Sequence, residues 1–408
     1  MKTKVTYLHE RSKSESEKFN SRMAMIQMLI PLGLKAIEDE LQMEVRSLVG
    51  EWYGRETPDV QRWGRNNGSV YLGDQKVSIK VPRVRNQKNK KEVQLKSYDA
   101  LQSPGIIDEL TLQRVIGGLK MGNYKQAAIA VPETFGISKS SVSRRYIRAT
   151  AKSLEQVLNR DLSKEDIVSI FMDGKSFSGS DIVIALGITI LGEKIILGFI
   201  ETVTENKTVC KEFINNLITR GLNIEQKILF IIDGAKGLHS GITGVLGEKA
   251  VIQRCQWHKR ENVLEYLNDQ HKEMFRGKLQ TAYQENTYEK AKSKLMVVKK
   301  ELKLINESAV RSLEEGFEET LTLHKLGLFS ELGSSFKTTN CIENVNGLLG
   351  SLTGRVTYWK NSNQRQRWIA AVFLEIEPGL RKVRGYQYLK NLRVAMKNLN
   401  QENNRKVA

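Results

Sequence analysis

The chain has 408 residues, 40% of them hydrophobic, which suits two or three domains with real cores and excludes a disordered polyelectrolyte. Lys and Arg outnumber Asp and Glu by 64 to 46, and the resulting charge of +18 implies a polyanionic partner, nucleic acid ahead of an anionic membrane surface. The widely spaced Cys210, Cys255 and Cys341 argue against a disulfide framework, no apolar h-region opens the N-terminal stretch, and the longest apolar run, 182–191, is too short to span a bilayer; the cytoplasm is the expected compartment.

In chain order, residues 20–54 read as mostly helical, with Met25, Met28, Leu29, Leu32 and Leu34 at roughly helical spacing, Pro31 and Gly33 able to split the segment, and a break at Gly54. "SVYLGDQKVSIKVPRVR" alternates as a β-hairpin does, with its turn at Gly73-Asp74 and its end at Pro82. From Lys80 to Lys96 seven basic residues face Glu92 alone, a pattern of solvated linkers that beside DNA would hold phosphates without reading sequence. Residues 1–97 thus form an N-terminal helical and hairpin region.

Residues 98–160 are read as a helical, helix-turn-helix DNA-binding region. In "YKQAAIAVPETFGISKSSVSRRYIRAT" a short apolar helix ends at Gly136 and Ser138 can cap the next. Ser138, Lys139, Ser141, Arg144, Arg145 and Arg148 are its candidate contacts to bases or phosphates, although helix pairs of this shape also occur in ordinary bundles.

After Lys164 the period changes from helical to strand-like. "IVSIFMD" (167–173) and "KILFIID" (227–233) are near-continuous apolar runs; "DIVIALGITI" and "KIILGFI" form a hairpin around Leu191-Gly192-Glu193, and "VCKEFINNLITRG" is an amphipathic helix. Apolar runs of this kind suit strands buried on both faces, so the fold class is α/β, a mixed sheet covered by helices. Its first part spans 161–262, a charged helical insertion 263–335, and its last part 336–385, followed by a basic tail, 386–408.

Both apolar runs end in Asp-Gly, at Asp173-Gly174 and Asp233-Gly234. Ligands of open α/β sheets gather beyond the carboxyl ends of strands, so the two aspartates would share a crevice; for Asp173 a plain hairpin turn is the competing reading. "DGKS" (173–176) lacks the earlier glycine a P-loop requires, since Ser169 stands there. Adjacent aspartates repel unless a cation lies between them, and oxygen ligands select Mg²⁺ or Mn²⁺. Glu343, in "KTTNCIENVNGLL", is the candidate third ligand. The helix it opens has an apolar face of Ile342, Val345, Leu349 and Leu352, and Glu343 shares a nearly side-chain-free stripe with Asn346, Gly347 and Gly350.

With "FMDGKSF", "LFIIDGAKGL", "QRCQWHKRENV" and "KTTNCIENVNGLL" in this order, the chain resembles the Mutator-type bacterial insertion-sequence transposases from "YLGDQKVSIKVPRVR" through "RWIAAVFLEIEPGLRKVRGYQYLKNLR". The resemblance implies a ribonuclease H-like catalytic domain with an Asp-Asp-Glu triad at Asp173, Asp233 and Glu343, holding two Mg²⁺ (or Mn²⁺) ions. Asp173 would bridge the ions, with Asp233 and Glu343 each completing one shell. It implies strand cleavage and strand transfer on terminal inverted repeats and target DNA, a dimer or higher assembly on DNA, and a cytoplasmic, nucleoid-associated location. It also brings Cys255 and His258 near the site; read as residues alone they are half a zinc motif without a second half, or a buried thiol and a structural histidine. Where many transposases of this general type carry Lys or Arg seven residues past the Glu, this chain has Gly350, leaving Arg355, Arg365 and Arg367 as candidate DNA contacts. A nuclease or resolvase that cuts without joining, and a non-catalytic DNA-binding regulator, are the alternatives.

Overall fold

In the computed structural model, which describes residues 32–51, 59–72, 75–102, 112, 115–117, 139–202 and 206–407, the chain divides into two units, 1–149 and 150–408. Among the described residues no helix is long and apolar enough to cross a membrane.

In the first unit a helix covers residues 32–49, and Gly33 lies inside it rather than splitting it; Pro31 and Gly54 fall outside the described residues. The helix closes at Gly50, whose φ of 81° only glycine adopts freely and whose N–H donates to Arg46 O at 2.8 Å. Its buried Leu41, Val45 and Val49 recur at helical spacing and cluster with Val84 and Leu95. Strand β1 (Val60–Leu72) pairs antiparallel with β2 (Gln75–Asn86), and β3 (Glu92–Val93) adds to β2. Leu72 pairs with Gln75, the register a two-residue turn requires, while Gly73 and Asp74 themselves lie outside the described residues.

Pro82 does not end the hairpin. It pairs with Arg65 beside a register shift between Arg62 and Arg65, where Gly64 has φ 90°. A bulge tolerates a residue that cannot donate to the ladder, so β2 continues to Asn86. The basic run is likewise not a linker: Arg83 donates to both carboxylate oxygens of Glu92, at 2.7 and 2.9 Å, across β2 and β3. Of the helix-turn-helix candidate, residues 118–138, Gly136 and Ser138 included, lie outside the described residues; the second helix spans Lys139–Leu158.

The second unit is built on a five-stranded sheet ordered β6-β5-β4-β7-β8, from β4 (Ile167–Phe177), β5 (Ser180–Thr189), β6 (Lys194–Thr202), β7 (Ile228–Ile232) and β8 (Ala250–Arg254). β4, β5 and β6 are mutually antiparallel, whereas β7 runs parallel to β4 and β8 parallel to β7. Successive strand residues face opposite layers, which is why the apolar runs are continuous. Val168 and Phe171 pack with Phe336, Ile342, Val345 and Phe373 on one face; Ile170, Met172 and Phe230 pack with Phe213, Leu217 and Leu238 on the other.

The segment read as an insertion is helical, with helices Asp269–Tyr283, Tyr288–Lys303 and Glu307–Glu314 enclosing a cluster that includes Phe275, Leu279, Leu295, Leu302 and Leu313. Buried amides tie it to β8 and the helix after it. Gln253 Nε2 donates to Thr320 O at 3.0 Å, its Oε1 accepts from Leu323 N at 2.9 Å, and Gln256 Nε2 donates to the same Thr320 carbonyl at 2.9 Å. The edge strand β6 is held by Arg160, which donates to both oxygens of Glu377 at 2.7 Å and to Ile196 O at 3.0 Å. The C-terminal stretch expected as a basic tail is a helix, Leu389–Val407, whose Leu389, Leu392 and Met396 are buried in the sheet's core.

Phe336 is fully buried with its ring stacked 5.6 Å from Phe171 of β4, so Phe336→Ala should destabilise the second unit by about 3–5 kcal/mol, read from urea unfolding. A loss below about 1 kcal/mol would show that the helix carrying Phe336, Phe329–Phe336, does not depend on the sheet for its anchorage.

Candidate active site

Parallel pairing of β4 with β7 matches Phe171 to Ile231 and reaches no further, so Asp173 and Asp233 each lie two residues past a matched pair on neighbouring strands. Asp173 is not a turn residue. β4 stays paired with β5 through Phe177, opposite Ser180, and the reversal occurs at Ser178 and Gly179, with φ of 49° and 81°. Asp173 is therefore a buried carboxylate inside a strand, at the point where one neighbour ends and the other continues. Asp233 follows the last residue of β7, and its Oδ1 accepts from Ala235 N at 2.9 Å, one residue before helix Lys236–Leu246.

Glu343 comes from helix Asn340–Thr353, whose Ile342, Val345 and Leu349 are fully buried beneath it. Thr339 stands at the N-cap but makes no capping bond with its side chain. Its hydroxyl instead donates to Glu343 Oε1 at 2.6 Å and lies 3.3 Å from His258 Nδ1. From the same helix Asn346 Nδ2 donates to Asp173 Oδ2 at 3.0 Å. Cys255 follows β8, its N–H donating to Ile232 O at 2.7 Å, and its sulfur accepts from His258 N at 3.5 Å as the cap of helix Gln256–Leu264. Asp173, Asp233, Glu343, Cys255 and His258 thus gather at one end of the sheet.

The electrostatics record that gathering. Burial, then the charges of Asp233 and Glu343, push the Asp173 carboxyl up to about 7, against the opposing charge of His258 and the Gly174 N–H. His258 is raised to about 9, first by its hydrogen bond with Cys255 and then, with burial opposing, by the charges of Cys255, Asp233 and Glu343. Burial pushes the Cys255 thiol up, but the bonds from His258 and Thr339 bring it below its ordinary value. An imidazolium in this position partly offsets the three carboxylates.

Among the described residues no group of three or more His, Cys, Asp or Glu side chains closes tightly enough to enclose a metal ion. The donor chemistry nonetheless fits a hard divalent cation. The converging groups are carboxylates, and the buried Asn346 Oδ1, on the amide that grips Asp173, has no hydrogen-bond partner among the described residues.

The predicted DNA contacts separate into groups. Arg144 and Arg148 are exposed and Ser141 half-buried on helix Lys139–Leu158; Ser138 and the side chain of Lys139 lie outside the described residues. Arg145 is buried, its guanidinium 5.4 Å from the centre of the Tyr71 ring, because it occupies the same helical side as the buried Val142 and Ala149. Arg365 donates to Glu201 Oε1 at 2.6 Å, and the buried Arg367 donates to Asn363 Oδ1 at 2.8 Å and Thr150 Oγ1 at 2.7 Å. These guanidiniums serve the fold, while Arg355 is exposed past the end of the Glu343 helix. Beside Gly350 the structure brings Lys175. The sequence reading gave no site role to Thr339, Asn346 or Lys175, although each has a periodic signal: Thr339 and Asn346 flank Glu343 at helical spacing, and Lys175 is two residues from Asp173 on a strand.

The family model described as "Transposase, Mutator family" matches residues 5–380. The chain is 24% identical over 262 residues, 61% of its own length and 66% of the relative's, to the transposase for insertion sequence element IS905 of Lactococcus lactis. It is 25% identical over 251 residues, 58% of its length and 63% of theirs, to the transposase for insertion sequence element IS256 in transposon Tn4001 from Staphylococcus aureus and from Enterococcus faecalis. These matches span just under two thirds of the relatives' own lengths. With a family match over nearly all of its sequence, the chain belongs to the Mutator family of transposases.

Proposed function

We propose that the chain is a DNA transposase of an insertion sequence that binds terminal inverted repeats and performs strand cleavage and strand transfer at Asp173, Asp233 and Glu343. The observation that carries this reading is the convergence of three carboxylates from β4, β7 and a separate helix in a Mutator-family chain. The β6-β5-β4-β7-β8 order, three antiparallel strands followed by two parallel ones, supports a ribonuclease H-like fold for the catalytic part. The separate helical cluster from Val263 to Leu321 supports reading most of 263–335 as an insertion between parts at 161–262 and 336–385, although Leu323, Leu326, Leu328, Phe329 and Leu332 pack into the sheet's own core.

Asp173, Asp233 and Glu343 would hold Mg²⁺ or Mn²⁺, two ions per site. Such ions, when bound, polarise the scissile phosphate and lower the pKa of the attacking water. The chain's own groups orient the ligands: Asn346 fixes Asp173, the Ala235 N–H fixes Asp233, and Thr339 fixes Glu343. In the first step water oxygen bonds to phosphorus as the bridging 3′-oxygen leaves and takes up a proton. The freed 3′-hydroxyl then attacks a target phosphate in line and displaces that strand's own 3′-oxygen. Neither step needs a covalent enzyme intermediate, and joining two ends calls for at least a dimer on DNA. Residues 98–160 would bind the repeats through a helix-turn-helix, with Arg144 and Arg148, one turn apart, facing phosphates. The setting would be the cytoplasm, at the nucleoid.

Asp173→Asn, Asp233→Asn or Glu343→Gln should each abolish cleavage and strand joining of element-end duplexes in Mg²⁺ while leaving repeat binding intact; full activity in any one would remove that residue from the site. Asn346→Ala should slow cleavage about 10- to 100-fold without weakening repeat binding, since it deletes one hydrogen bond to a charged ligand. Equal rates for Asn346→Ala and the parent would show that Asp173 needs no such grip. Arg144→Ala should flatten the log–log salt dependence of repeat binding by about 0.9, whereas Arg145→Ala should lower thermal stability and leave the slope unchanged. The reverse pattern, in titrations from low to high salt, would exchange their roles.

A further inference from the structure

Lys175 is a cation at the site that the scheme above leaves without a task. It lies two residues beyond Asp173 on β4, so the two side chains leave the same face of the strand. Its Nζ donates to Asn346 O at 2.6 Å. In a regular helix that carbonyl is already the acceptor of the Gly350 N–H, so the lysine is a second, supplementary donor and readily exchanged. An ammonium has three N–H donors, and this bond takes one.

The surroundings are open on the helix side. Beyond the helix's own backbone, a Cβ placed on Gly350 would lie 3.6 Å from Lys175 Nζ and meet no other atom of the described residues within 4 Å, and a Cβ on Gly347 would meet none. The ammonium therefore borders a bare stripe of the Glu343 helix and lies beside one of the three carboxylates, Asp173, whose charge acts on it. A polyanionic strand approaching those carboxylates is repelled by them, and the flank where the helix offers no side chain is where a compensating cation is needed. Lys175 reaches that flank from the strand.

We propose that Lys175 holds a phosphate of the bound DNA strand next to the scissile one, exchanging the Asn346 carbonyl for a phosphate oxygen when DNA enters along the Gly347–Gly350 stripe. This inference rests on the reading of the three carboxylates as a DNA-processing centre. Lys175 is a substrate-holding residue here, and its charge matters more than the identity of the element that supplies it. A base installed at position 350 should therefore replace it, because the bare stripe has room for the side chain.

The test uses the full chain, Mg²⁺ and a duplex oligonucleotide carrying the inverted repeat of the element that encodes it, with single-turnover cleavage, duplex affinity and melting temperature measured together. Lys175→Gln should cut 10- to 100-fold more slowly, roughly the value of one hydrogen bond to a charged group, with duplex affinity changed only a few-fold because many other phosphates are held. Lys175→Arg should stay within a few-fold of the parent. Adding Gly350→Lys to Lys175→Ala should recover at least about tenfold of the lost rate. The proposal is overturned if Lys175→Gln cleaves at the parental rate while Asp173→Asn is inert, a result that leaves the catalytic reading standing. It is equally overturned if the loss comes with a lower melting temperature and the Gly350→Lys pairing restores nothing, since the lysine would then only brace the helix. If Asp173→Asn itself cleaves normally, the catalytic reading fails first and takes this inference with it.

Discussion

Like-charge repulsion between carboxylates in a poorly solvated place is the constraint around which the second unit is organised. The β4–β7 register sets Asp173 and Asp233 level on adjacent strands, and the helix Asn340–Thr353 adds Glu343. Burial and those two charges raise Asp173 to about 7, so the arrangement is held against its own electrostatics. What holds it is packing on both faces of the sheet and hydrogen bonds to the carboxylates: Asn346 and the Gly174 N–H on Asp173, Ala235 on Asp233 and Thr339 on Glu343. The imidazolium of His258 sits among the same charges and counts in the opposite direction. A divalent cation would relieve the strain more fully than any of these, which is the physical content of calling this constellation a candidate metal site.

The parts of the fold that were legible in the sequence are those where a local pattern and the tertiary outcome agree. Continuous apolar runs at 167–173 and 227–233 became buried strands, and the Ile342, Val345, Leu349 spacing became the buried side of a helix. Turns were less legible. Asp173-Gly174 has the composition of a hairpin turn, yet the chain reverses at Ser178-Gly179, because pairing with β5 continues after β7 has dropped out. Pro82 looked like a terminator and is a strand residue next to a bulge at Gly64. β1 begins at Val60, in a polar stretch without alternation, where pairing to β2 rather than burial sets the conformation.

Charge was the least readable property, because a sequence lists cations without saying which are already engaged. Arg145, Arg365 and Arg367 belong to a basic surplus that suggests DNA, and the structure occupies them with Tyr71, Glu201, Asn363 and Thr150. The same holds in the floor beneath the site. Arg254 is buried, donating to Glu315 O at 3.0 Å and Gly234 O at 3.3 Å, and Lys259 donates to Ser312 O at 2.7 Å. These cations join the helical segment to the sheet end that carries Asp233. Arg254 also makes Gly234 obligatory, since with φ 106° a Cβ there would run into its Nε at 2.0 Å.

That division of labour explains why the third carboxylate comes from a helix. Strand residues alternate between faces, so β4 and β7 can each present one group toward the crevice per two residues, and the next on β4 is Lys175. A helix packed on the sheet against β4 presents a row at three- and four-residue intervals. Here the row is Glu343, Asn346 and Gly350: a carboxylate, the amide that restrains the Asp173 carboxylate, and an empty position. The apolar residues on the opposite side fix that row against the sheet, so clearance for a polyanion and anchorage of the Glu come from the two faces of one element. A third strand in the same place would have brought side chains to both faces and closed the approach.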